Sequence, residues 1–469
     1  MHTFAFLTPC LFTTTGQHFH LPPTGQHSPC WPRRATVAAS MKGKAIFVED
    51  EYFDEPIKLR RAKPKVKAKG PAAGGFAKTQ PVSPAWERLR NWLEARGATA
   101  EGVDVVAAVA PHNRRGVVAT RNFVKGEVIF SVPRSSCILD EKRAEASPVA
   151  AVWRDASVEV PQWAKVALFM LWLGRSEDTR SEWAPVLDML PTKEEWDEEG
   201  GPLQFWSADE VASAECTVLT KRVAQHRQQV DTLFESVVRP GWEAASLPLS
   251  PPSFEEFELA EVNFRSRAYR EKKSGVEMLV PGVDLCNHEN PNRVNTGKCF
   301  LEGEFIVFAS QPIKRGKEIL ITYGAKPNRQ LLQQFGFLLR EGQPMRRMVL
   351  GDDAAPVIDF LGGLPSMDGG EDEFTRRLEE ACRDGLLLRS RAHGKPSPMQ
   401  PVGGNLQQAA EALGVGYDRV VARALEDFST PLEADEALLE AGALSPRQRL
   451  AAEYRLSQKR LLRGELDFL

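Results

Sequence analysis

The chain has 469 residues, 42% of them hydrophobic, and a formal net charge of −3 at pH 7. That length and apolar content suffice to bury cores for two or three domains. No apolar run reaches the ~18 to 20 residues that a membrane-spanning helix needs, so we expect no membrane partner.

The first 48 residues contain no Asp or Glu and are rich in Ser, Thr and Pro. This composition is typical of an organelle transit peptide, and the low Arg content favours the plastid, with the mitochondrion as the alternative. A secretory signal is the competing interpretation, but the apolar start lacks a charged flank and is interrupted by Pro9. We therefore predict a transit peptide over residues 1–40, processed near Ser40, and a chloroplast stromal protein.

Residues 41–84 combine an acidic patch at Glu49 to Glu55 with the basic run KLRRAKPKVKAKG. Charged runs mixed with Pro, Gly and Ala cannot bury enough apolar area to offset chain entropy, so they predict a disordered linker. A nucleic-acid arm is the alternative. Residues 87–469 carry about −10, however, which disfavours polyanion binding, and we expect no nucleic-acid partner.

From residue 85 to residue 345 the pattern predicts small sheets interrupted by helices. AWERLRNWLEARGA indicates a short amphipathic helix, and VDVVAAVA, GVVAT and EVIFSVP indicate a small curled antiparallel sheet. Residues 141–262 then show helical periodicity, and strands return at GVEMLVPG, FIVFAS and KEILITYG. The predicted fold class is therefore α+β, with a helical insertion.

Residues 346–469 carry two helix-start signals, in STPLEADEALLEAG and LSPRQRLAAEYRLSQ. In each, a Ser or Thr suited to the N-cap precedes a Pro suited to the first helical position. We predict a separate all-α domain here.

In the stretch VPGVDLCNHENP, residues 280–291, several polar side chains follow directly after an apolar run. Cys286 and His288 are competent metal ligands. The seven cysteines form no CxxC pair and their odd number suits a reducing compartment, so we predict no metal site. Cys286 is expected to be a buried small residue.

Three ordered segments resemble the motifs of SET-domain protein methyltransferases. They are RRGVVATRNFVKGEVIFSVP, FRSRAYREKKSGVEMLVPGVDLCNHENP and KRGKEILITYGAKPNRQLLQQFGF. The subfamily is similar to the plastid Rubisco large-subunit lysine methyltransferases, which have a helical insertion, a knot-like threading of one segment and an all-α substrate-binding domain. The resemblance covers roughly residues 85–465.

This resemblance implies S-adenosylmethionine as the methyl donor. Its sulfonium, ammonium and carboxylate call for oxygen acceptors and a cation in the pocket. The implied cofactor contacts are the backbone near Arg115, Gly116 and Val117, and the residues Arg267, Asp284, Asn287 and His288. Taken alone, Asp284 would be a strand-end cap, Asn287 a turn residue and His288 a core imidazole.

Tyr323 is the predicted catalytic residue. The chain uses Phe 24 times and Tyr 5 times, so a Tyr between the strand EILIT and Gly324 indicates that the hydroxyl is needed. A tyrosine hydroxyl can orient the lone pair of an amine for in-line transfer. Phe335 and Phe337 are predicted to line the substrate channel. Because the family often has Tyr at the position of Phe335, the number of methyl groups added stays open.

Three functions remain compatible with the sequence. The first is a lysine methyltransferase, expected as a monomer, acting on Rubisco, aldolase or another stromal protein. The second is a protein-histidine methyltransferase of the same fold, similar to the actin-histidine subfamily. The third is a non-catalytic SET module that only binds protein.

Overall fold

The architecture is defined by a computed structural model. It describes residues 38–42, 45–49, 57–60, 83–109, 114–271, 274–289, 293–324, 326, 328–339, 387–392, 395–401, 425 and 428–462. The predicted transit peptide lies outside the described residues, except for residues 38–40. No helix in these ranges is long and apolar enough to cross a membrane.

Short strands supply the framework. They are β1 Ala38–Lys42, β2 Ala45–Glu49, β3 Ile57–Lys58, β4 Val103–Val109, β5 Arg114–Ala119, β6 Val128–Pro133, β7 Leu139–Asp140, β8 Tyr269–Arg270, β9 Glu277–Leu279, β10 Asn287–His288, β11 Thr296–Leu301, β12 Glu304–Ala309, β13 Leu320–Ile321, β14 Leu387–Ala392 and β15 Lys395–Pro401.

Helices surround these strands. They are α1 Pro84–Glu94, α2 Arg134–Cys137, α3 Glu141–Glu145, α4 Ala151–Arg154, α5 Gln162–Arg175, α6 Glu177–Leu187, α7 Lys193–Glu198, α8 Ala208–Ala212, α9 Thr217–Leu233, α10 Arg239–Ala244, α11 Phe254–Arg267, α12 Asn328–Phe335, α13 Leu432–Ala441 and α14 Pro446–Leu462. A π-helical turn, Phe234–Val238, joins α9 to α10.

The strands pair in several small sheets. β4 pairs antiparallel with β5, whereas β6 joins β12 and β11 in a different sheet. β10 pairs in parallel with β13, so Asn287 lies opposite Leu320 and His288 opposite Ile321. This parallel pairing brings the polar stretch of residues 284–288 beside Tyr323, which follows β13 by two residues.

The helices α3 to α11 form an insertion within one sheet. The chain leaves at β7 and returns at β8, and β9 pairs with both of these strands. The core of the insertion is apolar, with Trp163, Leu168 and Phe257 buried. α11 begins with a capping box between Ser253 and Glu256, and it ends at Arg267. The insertion therefore delivers Arg267 directly to the sheet region.

The C-terminal helices pack on this insertion. Tyr454 on α14 belongs to an apolar cluster that includes Leu203 and Trp206. Behind them, the buried carboxylate of Asp435 on α13 accepts hydrogen bonds from Arg455 Nε at 2.9 Å and Lys459 Nζ at 2.6 Å. A buried carboxylate held by two cations fixes the α13–α14 pair, because removing either partner would leave an uncompensated charge.

One prediction about an irregular segment is wrong where the structure describes that segment. Residues 41–84 were predicted to be disordered, but β1, β2 and β3 form an antiparallel sheet there. Ile57 is 2% exposed and packs with Val128 and Phe308. The sequence IKLR alternates apolar and charged residues, and this strand signal was obscured by the basic run that follows it.

The predicted helical C-terminal region is confirmed at α13 and α14, and the structure differs from the prediction locally, at residues 387–401. There β14 and β15 form an antiparallel hairpin. The helical prediction depended on the capping signals of α13 and α14 and was extended over a segment without such signals. Three prolines in β15, at positions 396, 398 and 401, are incompatible with a helix interior.

Candidate active site

A cavity of about 300 Å³ lies where the motif segments meet the insertion. We call it the first cavity. The side chains that line it include Arg114, Arg115, Glu195, Trp196, Glu198, Glu199, Ser266, Arg267, Asp284, Asn287, His288, Tyr323, Phe335 and Phe337. Its wall therefore carries both signs of charge, with the glutamates contributed by α7 and the loop after it.

A second cavity of about 470 Å³ adjoins the first. Five residues belong to the walls of both: Ser266, Arg267, Asp284, Tyr323 and Phe335. Beyond this shared wall, the second cavity is bounded by side chains from β8, β9 and β11, among them Tyr269, Glu277 and Lys298. Two cavities that meet at a tyrosine suit a transfer reaction between two molecules held on opposite sides.

The amide of Asn287 fixes the wall of the first cavity. Its Nδ2 donates to the carbonyl oxygen of Arg115 at 3.0 Å and to Glu318 Oε1 at 2.7 Å. Both bonds pass over Gly116, where a Cβ would lie 2.7 Å from Asn287 Nδ2 and 2.6 Å from Glu318 Oε1. Gly116 is therefore required for close approach, and Asn287 is more than a turn residue.

Arg267 and Asp284 form a buried pair at the shared wall. Arg267 Nη1 donates to the Asp284 carbonyl oxygen at 2.9 Å and lies 3.5 Å from its Oδ2. Oδ1 accepts the Gly282 N–H at 2.9 Å. Burial raises the pKa of Asp284, and the neighbouring Arg267 and Arg115 oppose that shift. Asp284 is thus both a backbone cap and a polar group of the site.

His288 is neutral at physiological pH. Burial, followed by the charge of Lys298, lowers the pKa of His288 to about 3. Its Nδ1 accepts the backbone N–H of Tyr323 at 3.1 Å, which places the ring proton on Nε2. That Nε2 is buried and has no hydrogen-bond partner among the described residues. The imidazole both positions Tyr323 and presents a donor at the cavity.

Tyr323 is held rigidly at the junction of the cavities. Its hydroxyl donates to the carbonyl oxygen of Cys286 at 2.9 Å, and its ring stacks on His288 with centroids 5.0 Å apart. Burial raises the pKa of Tyr323 well above its usual value, so the phenol stays protonated. With the hydroxyl proton committed to Cys286, the phenolic oxygen retains lone pairs that can accept a hydrogen bond.

Phenylalanine rings close the junction. Phe335 lies 4.9 Å and Phe337 6.4 Å from the Tyr323 ring, centroid to centroid. Arg114 stacks over Phe337 at 5.4 Å and donates to the Gly336 carbonyl oxygen at 2.8 Å. Apolar rings thus surround one hydroxyl and one imidazole, so few polar atoms of the junction are accessible to water.

Most of the predicted site residues converge on these cavities. Those that line one or both are Arg115, Arg267, Asp284, Asn287, His288, Tyr323, Phe335 and Phe337. Gly116 lies behind the wall, and the side chain of Val117 is fully buried in the core. Sequence reasoning missed Arg114, Glu318 and the α7 glutamates. Arg114 and Glu318 stand in the quoted motifs, but nothing in their spacing distinguished them from surface charges.

No group of three or more His, Cys, Asp or Glu side chains in the described part of the chain is arranged to hold a metal ion. Cys286 is fully buried, as its apolar context suggested.

We predict that Gly116→Ala weakens binding of the cofactor that the motifs imply by about tenfold or more. The added methyl group would displace the Asn287 amide from one or both of its hydrogen bonds, and leaving a buried polar group unpaired is costly. Calorimetric titration with S-adenosylmethionine measures the change. Gly174→Ala in α5 is the matched control, since its Cβ would meet only a Leu187 methyl at 3.3 Å. Unchanged affinity in Gly116→Ala would contradict the role given to Asn287.

Comparisons with known proteins identify two family matches in the chain. Residues 114–324 match the family described as SET domain, and residues 415–462 match the one described as Rubisco LSMT substrate-binding. The chloroplastic [fructose-bisphosphate aldolase]-lysine N-methyltransferase of Arabidopsis thaliana is 26% identical over 412 residues, covering 80% of this chain and 82% of that protein. The chloroplastic Rubisco large subunit N-methyltransferase of Nicotiana tabacum is 25% identical over 419 residues, covering 82% and 80%.

A solved structure shares the fold. The structure of Rubisco LSMT bound to AdoMet aligns with a TM-score of 0.55 at 18% identity, over 82% of this chain and 91% of that one. The chain therefore combines a SET domain, the fold of protein methyltransferases, with a Rubisco LSMT substrate-binding domain.

Proposed function

We propose that this methyltransferase transfers a methyl group from S-adenosylmethionine to a lysine side chain of a plastid stromal protein. The observation that carries the proposal is the wall that two adjoining cavities share at Tyr323 and Phe335. The names of the relatives support lysine as the acceptor and the chloroplast as the location. Rubisco and aldolase are the first candidate substrates.

The chemistry of the first cavity fits the cofactor. When bound, S-adenosylmethionine supplies a methyl group on a sulfonium. Arg267 Nε and His288 Nε2 are buried donors without partners among the described residues, and they suit the acceptor groups of the cofactor. The α7 glutamates suit its ammonium group and ribose hydroxyls. The predicted cofactor residues Arg115, Arg267, Asp284, Asn287 and His288 and the newly found α7 residues thus line the same cavity.

The residues at the shared wall can position the acceptor amine. The Tyr323 oxygen, with its proton donated to Cys286, accepts an N–H of the amine and so orients the lone pair. Phe335 and Phe337 restrict rotation around it and exclude water. Because in-line displacement requires collinear attack, this restraint acts mainly along the reaction path.

The C-terminal segment is proposed to recognise the protein substrate. Its helix α14 carries Arg447, which binds Asp197 on α7 and lies 2.8 Å from Glu210 on α8. Because α14 packs on the insertion rather than on the SET sheets, the wall of the second cavity is formed by β8, β9 and β11. The matched substrate-binding family over residues 415–462 supports this role.

A labelling experiment tests the proposed function. The purified protein, incubated with methyl-labelled S-adenosylmethionine and a stromal extract, should label a discrete protein band. Hydrolysis of that band should give methyllysine. Recovery of methylhistidine would favour the histidine enzyme instead, and a protein that binds the cofactor but labels nothing would favour the non-catalytic module.

Tyr323→Phe should lower the single-turnover methylation rate on the labelled substrate by on the order of 100-fold or more, with little change in cofactor affinity. The substitution removes one hydroxyl at nearly constant volume. Arg267→Ala should instead act mainly on cofactor affinity, which it should weaken. Tyr454→Phe is the matched control, because Tyr454 lies in the cluster under α14. A Tyr323→Phe enzyme with the wild-type rate would remove Tyr323 from the mechanism.

The location is tested with a leader fusion. Residues 1–60 fused to a fluorescent protein should direct it into the plastid, with cleavage close to Ser40. The acid-free leader and the chloroplastic relatives motivate this expectation. Fluorescence in the cytosol, the mitochondrion or the medium would refute it.

A further inference from the structure

Lys298 places an ammonium group in the wall of the second cavity. It lies on β11, whose side chains alternate between two faces. Lys298 and Phe300 line the cavity, and Cys299 between them contributes to the same wall while it packs in the core with Ile306. Under the proposed function this cavity receives the substrate lysine, and two ammonium groups in one cavity repel each other.

Contacts hold this ammonium next to the predicted catalytic residue. Lys298 Nζ donates to the carbonyl oxygen of Thr322, the residue before Tyr323, and lies 4.8 Å from the centroid of the Tyr269 ring. The same charge contributes to lowering the pKa of His288, which stacks on Tyr323. Lys298 is therefore a fixed cation within electrostatic range of the site where the acceptor amine must lie.

The remaining charges of the second cavity do not cancel this effect. Three carboxylates face it, Glu271, Glu277 and Asp284. The cations are more numerous: Arg265, Arg267, Arg270, Lys298 and Lys326. Asp284 is moreover paired with Arg267, one of these cations. Tyr269 and Cys299 also line the cavity. Burial raises the pKa of Tyr323 and of Cys286 and lowers the pKa of His288, so these three groups add no charge near neutral pH.

We propose that Lys298 is a positioning residue for methyl transfer, whose ammonium keeps the substrate lysine in its neutral, nucleophilic form. The inference rests on the proposed function. An acceptor ammonium entering beside this cation is destabilised and releases one proton to water. The amine lone pair then forms the N–C bond as the C–S bond breaks, giving a methylammonium and the neutral thioether. Methyl transfer requires this deprotonation, because an ammonium has no lone pair.

The test is the pH dependence of the single-turnover rate with saturating cofactor and protein substrate, since this rate reports the bound complex. The substrates used are purified plastid aldolase and Rubisco. In the wild type the rate should rise with pH as the bound amine deprotonates. In Lys298→Met, which removes the charge but keeps an unbranched side chain, the midpoint should move to higher pH by on the order of one unit. Lys298→Arg, which keeps the charge, should retain the wild-type midpoint.

Two controls separate this effect from a structural one. Lys125→Met removes an exposed lysine away from both cavities and should leave the midpoint unchanged. The melting temperature and cofactor affinity of Lys298→Met should remain near those of the wild type. If Lys298→Met does not fold, Lys298→Gln is used in its place. If the wild type methylates lysine but the midpoint is unshifted in Lys298→Met or Lys298→Gln, the inference about Lys298 is overturned and the proposed function stands. A wild type that methylates no lysine would overturn the proposed function and this inference with it.

Discussion

The two hydrogen bonds of the Asn287 amide are the constraint on which the site depends. They join β10 to the backbone of β5 and to Glu318 just before β13, segments that are 172 and 31 residues away along the chain. Only a glycine at position 116 allows this approach. With β10 fixed there, His288 lies beneath Tyr323 and Arg267 reaches Asp284. One amide thus connects the three segments that form this wall of the first cavity.

Burial then assigns a protonation state to each group at the junction. His288 is neutral because it is desolvated next to a cation, and Tyr323 keeps its proton because it is buried. Near neutral pH neither group therefore carries a charge. This suits the proposed displacement, in which the acceptor supplies its own lone pair.

The sequence was most informative for residues whose side-chain chemistry and spacing along the chain both fit a motif. The order of the motifs predicted that Arg267, Asp284, Asn287, His288 and Tyr323 would meet, and the structure brings them around adjoining cavities. It could not predict the α7 glutamates or Lys298, because their positions depend on how the insertion and the β11–β12 hairpin pack. Periodicity also failed where strands are very short, as at β3, since two or three residues give too little pattern to separate from a charged linker.

The helix α7 connects two parts of the molecule that have different tasks. Glu195 and Trp196 line the first cavity, while Asp197 on the same six-residue helix binds Arg447 of α14. A force that displaces α14 is therefore transmitted to a wall of the first cavity through less than two helical turns. If a ligand in the first cavity changed the affinity of the proposed substrate-recognition segment through this helix, thermodynamic reciprocity would require the protein substrate to change the affinity for that ligand by the same factor.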